Sequence, residues 1–159
     1  MQSRILSDEN GQRTYALVFE TGDPVMHGLE QFAASEGLTA ASFSGIGAFR
    51  DAVTGYFDWE RKDYLHNRID EQVEVASLNG DIALAPDGTQ AVHAHVVLGR
   101  RDGTAIAGHL MEAHVRPTLE LVLTETPGHL QKVVDKQSGL ALIRPDVSAP
   151  GHVPAGRGV

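Results

Sequence analysis

The sequence contains no cysteine, which removes disulfides and thiolate metal ligands together. Any bound metal must therefore be held by nitrogen and oxygen donors. Long hydrophobic runs are missing too. The longest apolar stretches, such as residues 82–86, are strand-sized, whereas a helix crossing a bilayer needs about 20 apolar residues. The opening Met1-Gln2-Ser3-Arg4-Ile5 lacks the apolar core of a secretion signal, so a cytoplasmic location is expected. Positive charge is scarce: 13 lysines and arginines face 21 acidic residues, for a net charge of −8. The densest basic pairs are Arg61-Lys62 and Arg100-Arg101. Non-specific DNA affinity comes from neutralising phosphates, so this composition argues against strong direct binding. There is no Gly-x-Ser-x-Gly elbow. Gly45-Ile46-Gly47 is only half of a dinucleotide fingerprint, because Arg50 stands where the third glycine belongs.

What is present fits one domain, since 159 residues suffice for a single sizeable core. Residues 13–20 read as a strand. A helix should follow, with Asp23 as its cap, Pro24 at its first position and Gly37 as its left-handed stop. Val25, Met26, Leu29, Phe32 and Ala33 share one face of it, so it should lie on a sheet. A second strand is expected over 40–46, then a hairpin of 51–58 with 62–66, then a strand over 72–78. Asn79-Gly80 reads as a turn, or as a bulge in a longer strand. Pro86-Asp87-Gly88 is a turn. Strands over 91–99, 105–115, 117–125, 130–134 and 140–143 complete the pattern. One helix beside seven or so strands joined by short turns gives an α+β domain with a largely antiparallel sheet. The Pro- and Gly-rich residues 148–159 have little to bury and should be mobile.

The segment Val92-His93-Ala94-His95-Val96 carries the most chemical information. Side chains alternate along a strand, so His93 and His95 project from one face, about 7 Å apart at the backbone. Two such imidazoles can chelate a transition metal, given a third ligand. They can equally be an ordinary pair of surface or hydrogen-bonded histidines. His109 supplies the third ligand if residues 101–103 form a three-residue hairpin loop with Gly103 left-handed, because His95 then faces His109. A two-residue Asp102-Gly103 turn would send His109 to the other face. Glu120 alternates with apolar neighbours and fits a fourth ligand, a base beside the metal, or a plain outward-facing carboxylate. His27, His66, His114, His129 and His152 have no paired spacing and read as surface or local structural residues.

Taken in order, Gly45-Ile-Gly47, Gly55-Tyr-Phe-Asp58, Glu74-Val-Ala-Ser-Leu-Asn-Gly80, His93-Ala-His95-Val-Val-Leu-Gly99, Asp102-Gly103, Gly108-His109-Leu110 and Pro117-Thr-Leu-Glu120 resemble the PPC domain (plants and prokaryotes conserved, also called domain of unknown function 296). The resemblance covers about residues 13–145, leaving 1–12 as an N-terminal extension and 146–159 as a tail. It implies a PPC-like α/β fold, with one helix packed on a mainly antiparallel sheet, and a homotrimer. Members with counterparts of His93, His95 and His109 resemble metal-binding proteins, which implies a divalent ion on three imidazoles, zinc by default. Bacterial members are labelled DNA-binding largely by analogy with plant relatives that join this domain to an AT-hook. The hook core Arg-Gly-Arg-Pro is absent here, and Gly156-Arg157-Gly158 is only a fragment of it.

Two functional expectations follow. One is an oligomeric, DNA-associated regulatory or interaction module with a metal site. The other is a metal-dependent enzyme or small-molecule-binding protein using that site.

Overall fold

The computed structural model describes residues 1–149. The tail assigned to 148–159 therefore lies outside the described residues from position 150 onward. Among the described residues, nine strands and one helix occur in the order β1 (Gln2–Glu9), β2 (Gln12–Glu20), α1 (Val25–Glu36), β3 (Ala40–Asp58), β4 (Asp63–Ile69), β5 (Val73–Leu84), β6 (Gln90–Gly99), β7 (Ala105–Glu125), β8 (Lys132–Val134) and β9 (Ala141–Ile143). Every strand-to-strand ladder is antiparallel. The main sheet runs β1-β2-β7-β6-β5-β3-β4, and β7 pairs with β3 as well. That extra pairing joins β3, β5, β6 and β7 into a closed circuit, with β1–β2 and β4 as flaps. A mostly antiparallel sheet with a single helix is thus the architecture. No helix among the described residues is long and apolar enough to cross a membrane.

Alternation builds the core. Tyr15, Leu17 and Phe19 of β2, Ala94, Val96 and Leu98 of β6, and Leu119, Leu121 and Leu123 of β7 are all buried. Their sequence neighbours point outward, as the two-residue period requires. Helix α1 contributes Val25, Leu29, Phe32 and Ala33 to the same cluster, at the spacing of one helical stripe. It ends at Gly37, whose φ of 65° is left-handed.

The structure corrects several expectations. Asp23 does not cap α1. Pro24 is the N-cap, with no side-chain cap bond. The Asp23 carboxylate instead accepts the Glu20 N–H at 2.9 Å and pairs with the Met1 amine at 2.7 Å. The second strand and the first arm of the following hairpin are one strand, β3, running through Gly45-Ile46-Gly47. The runs 105–115 and 117–125 likewise form one strand, β7. Asn79-Gly80 is neither turn nor bulge but the middle of β5, whose register shifts between Val75 and Ser77 instead. Gln2–Glu9 forms a strand that sequence reading left unassigned. It pairs only with β2, and all eight of its residues are exposed.

Candidate metal centre

The β6–β7 hairpin decides the site. The Arg100 N–H donates to the Thr104 carbonyl at 2.8 Å, and the Gly103 N–H to the Arg100 carbonyl at 3.0 Å. Gly103 has φ 83°, a region a side chain would disfavour. The Asp102 carboxylate accepts from both the backbone N–H and the hydroxyl of Thr104. This is the three-residue loop, and it sets His95 opposite His109.

On the other side of β6, Asn79 lies opposite His95 and Asp81 opposite His93. Between them, Gly80 is required by close approach. A Cβ there would sit 2.4 Å from the His93 carbonyl oxygen and 2.2 Å from Phe43 Cζ. Only a bare backbone lets β5 and β6 run this closely at the site.

The three rings converge. His93 stacks on His109 with centroids 5.1 Å apart, and His95 meets both edge-on at 5.1 and 5.4 Å. One donor atom from each lies within 4.8 Å of the others. Zinc–nitrogen bonds of about 2.0–2.1 Å at tetrahedral angles put donors about 3.4 Å apart. Binding then asks for an inward movement on the order of 1 Å, within reach of side-chain rotation, so the residues fit a divalent ion. The hairpin of β3 and β4 completes the wall: Tyr64 lies over His109 with centroids 5.0 Å apart and packs against Phe57.

Asp81 orders His93. His93 Nδ1 is 3.0 Å from Asp81 Oδ2. Asp81 is held below the usual carboxylate range: desolvation opposes this, but the His93 hydrogen bond and the nearby Lys132 outweigh it. An ionised carboxylate only accepts, so Nδ1 carries the proton and Nε2 keeps a free lone pair. His95 is shifted down by burial and by His93. His109 is pushed down to about 4 by burial first, then by His93, His95 and Lys132. Its Nδ1 is buried without a hydrogen-bond partner, so neither a carboxylate nor a carbonyl claims that ring.

Glu120 does not join the cluster. It lies opposite Val18 and Ile46, in the other half of β7, and lines an outer groove with Ser44, Ile46, Ser77 and Asn79. Of the remaining histidines, His114 Nδ1 meets Asp51 at 2.6 Å and His129 Nδ1 meets the Thr39 hydroxyl at 2.6 Å. His66 is an exposed residue of β4, and His152 lies outside the described residues. Asp81, Lys132 and Tyr64 are the contributors that sequence reading missed. For Asp81 the signal was present: once β5 is continuous, pairing Asn79 with His95 forces Asp81 opposite His93.

The family profile of the Plants and Prokaryotes Conserved (PCC) domain matches residues 6–127. A solved structure of a metal-containing protein from Archaeoglobus fulgidus is 34% identical, with a TM-score of 0.77, covering 82% of this chain and 92% of that one. A plant- and prokaryote-conserved (PPC) protein from Pyrococcus horikoshii is 32% identical, with a TM-score of 0.78 and coverage of 90% and 94%. A candidate DNA-binding protein from Ralstonia eutropha is 30% identical, with a TM-score of 0.78 and coverage of 88% and 94%. No curated protein matches the chain. With the profile spanning most of its length and such structures superposing on nearly all of it, the chain belongs to the plants and prokaryotes conserved domain family.

Proposed function

We propose that this chain is an oligomeric module that binds one divalent ion, zinc by default, through His93, His95 and His109, and works as a DNA-associated regulatory or interaction protein. The observation that carries the metal reading is the convergence of three imidazole donors within 4.8 Å, backed by a carboxylate on His93. That carboxylate–histidine pairing is the usual outer support of a metal ligand. The Archaeoglobus relative described as metal-containing supports it. Bound zinc would supply Lewis acidity and a polarised water, while the chain's own part is to aim three neutral imidazoles from one hairpin.

Oligomerisation is supported by the outer face of the sheet, where Ile46, Val122 and Val97 are 64%, 49% and 38% exposed. They lie on the same side of their strands as His93 and His95. A trimer, as the family resemblance implies, would cover them. The DNA association rests on the Ralstonia relative. With a net charge of −8, contact with DNA should be weak or run through a partner. A second reading, a metal-dependent enzyme or small-molecule binder, draws on the donor set itself: three nitrogens leave a tetrahedral ion a position for water or substrate.

Elemental analysis tests the metal. Native protein should hold about one ion per chain after zinc is supplied, and alanine at His93, His95 or His109 should remove most of it. Alanine at His114 or His129 should leave it in place. A metal-free native protein, or full retention by His109→Ala, would overturn the site. For DNA, fluorescence anisotropy with a generic duplex at physiological salt should show negligible binding. Tight binding with a steep salt slope, lost on replacing Arg100 and Arg101, would show instead that assembly builds a basic face.

A further inference from the structure

The chain continues past the family-matched stretch, which ends at residue 127, and turns back along the end of β5. The Leu84 N–H donates to the Leu130 carbonyl at 2.7 Å, and Gln131 Nε2 donates to the Ala85 carbonyl at 2.9 Å. The hairpin of β8 and β9 follows. This return brings Lys132 to the site, its side chain only 8% exposed and its Nζ 3.2 Å from Asp81 Oδ1. The two are close enough for an ion pair, although Asp81 Oδ1 is not aligned for a hydrogen bond. The other Asp81 oxygen meets His93. One carboxylate thus touches a metal ligand with one atom and the C-terminal hairpin with the other.

We infer that Asp81 is a positioning residue that couples metal occupancy to docking of the C-terminal hairpin through Lys132, an inference that rests on the metal reading above. A single Asp81 rotamer serves both contacts. Whichever partner engages first orders the carboxylate, and the second then binds against a smaller entropy loss. The lysine charge opposes this by repelling a cation, but Asp81 stands between the two and offsets it. Coupling of this kind is reciprocal: if the ion steadies the hairpin, the docked hairpin must favour the ion by the same factor.

Amide hydrogen exchange on the full chain, with and without saturating zinc, tests it. Peptides covering residues 130–144 should exchange roughly five-fold or more slowly with zinc. Asp81→Asn keeps an acceptor for His93 but no charge for Lys132, and Lys132→Met removes the ammonium. In both variants zinc should bind but no longer slow exchange in the hairpin. Zinc content is measured in parallel. If native protein takes up no zinc, the metal reading and the coupling fall together. If it does, but the hairpin ignores it, or the variants respond as native protein does, the coupling alone is wrong.

Discussion

With Tyr64 over its ring and two more imidazoles beside it, His109 loses much of its contact with water, and a proton placed there would meet three other basic groups. Its folded pKa is about 4, against an ordinary 6.5. In metal-free protein the unfolded chain therefore takes up this proton first. The stability this group preserves is complete above about pH 6.5 and drains away as pH falls toward 4. Because the ring is partly exposed, the loss should be on the order of 1–3 kcal/mol. Urea unfolding of the metal-free protein at pH 7.5 and 4.5 should show it, and His109→Gln should flatten that pH dependence. An equally steep slope in the variant would mean other groups carry it. The same burial prepares the ring for a cation, because an imidazole already neutral at pH 7 surrenders no proton on ligation.

Among the elements, the β6–β7 hairpin carries the three histidines, and Gly80 sets how closely β5 runs beside β6. Gly80→Ala should cost about 1–3 kcal/mol, since a methyl group must displace Phe43 or the His93 backbone. It should also weaken metal uptake, because His93 lies in the displaced strand. Thermal unfolding and zinc titration of the variant check both, and a native melting point with native uptake would contradict the packing argument. How far such features could be read from sequence depended on how local their causes were. Helix α1 was readable because Val25, Leu29, Phe32 and Ala33 repeat within one element, whereas Asp102-Gly103 announced a turn without fixing its length, since two-residue and three-residue loops both fit that pair. The unity of β3 was not. Its Gly45-Ile46-Gly47 looks like punctuation, yet Gly47 is where the Thr118 carbonyl of β7 comes within 2.2 Å of a would-be Cβ, a cause lying 71 positions away. Pro117 hid the continuity of β7 in the same way. Strand β1 has no buried face, so it left no hydrophobic pattern to find. The three histidines were legible as residues, and Asp81 follows from a continuous β5, but Lys132 was not legible, because it reaches Asp81 only through the tertiary return of the chain along β5.

At the scale of the whole molecule, the proposed oligomer would cover the edge strands β1 and β4 and the apolar outer positions Ile46, Val97 and Val122. Light scattering at micromolar concentration should return about three chain masses, and Val122→Lys should shift the population toward monomer. A native protein that runs as a monomer would remove the claim. The closed circuit of strands has a different kind of consequence, one that concerns synthesis. β2, β3, β5 and β6 leave the ribosome before β7, yet β7 is the strand that bonds to β2, β3 and β6. Until it emerges, a ribosome-bound chain ending near residue 104 has three strands, β2, β3 and β6, with open hydrogen-bonding edges and an uncovered apolar interior. Such a chain should be protease-sensitive and attractive to chaperones. Protection should arrive abruptly once residue 125 clears the exit tunnel, because the last strand of the circuit to be made is the one that closes it.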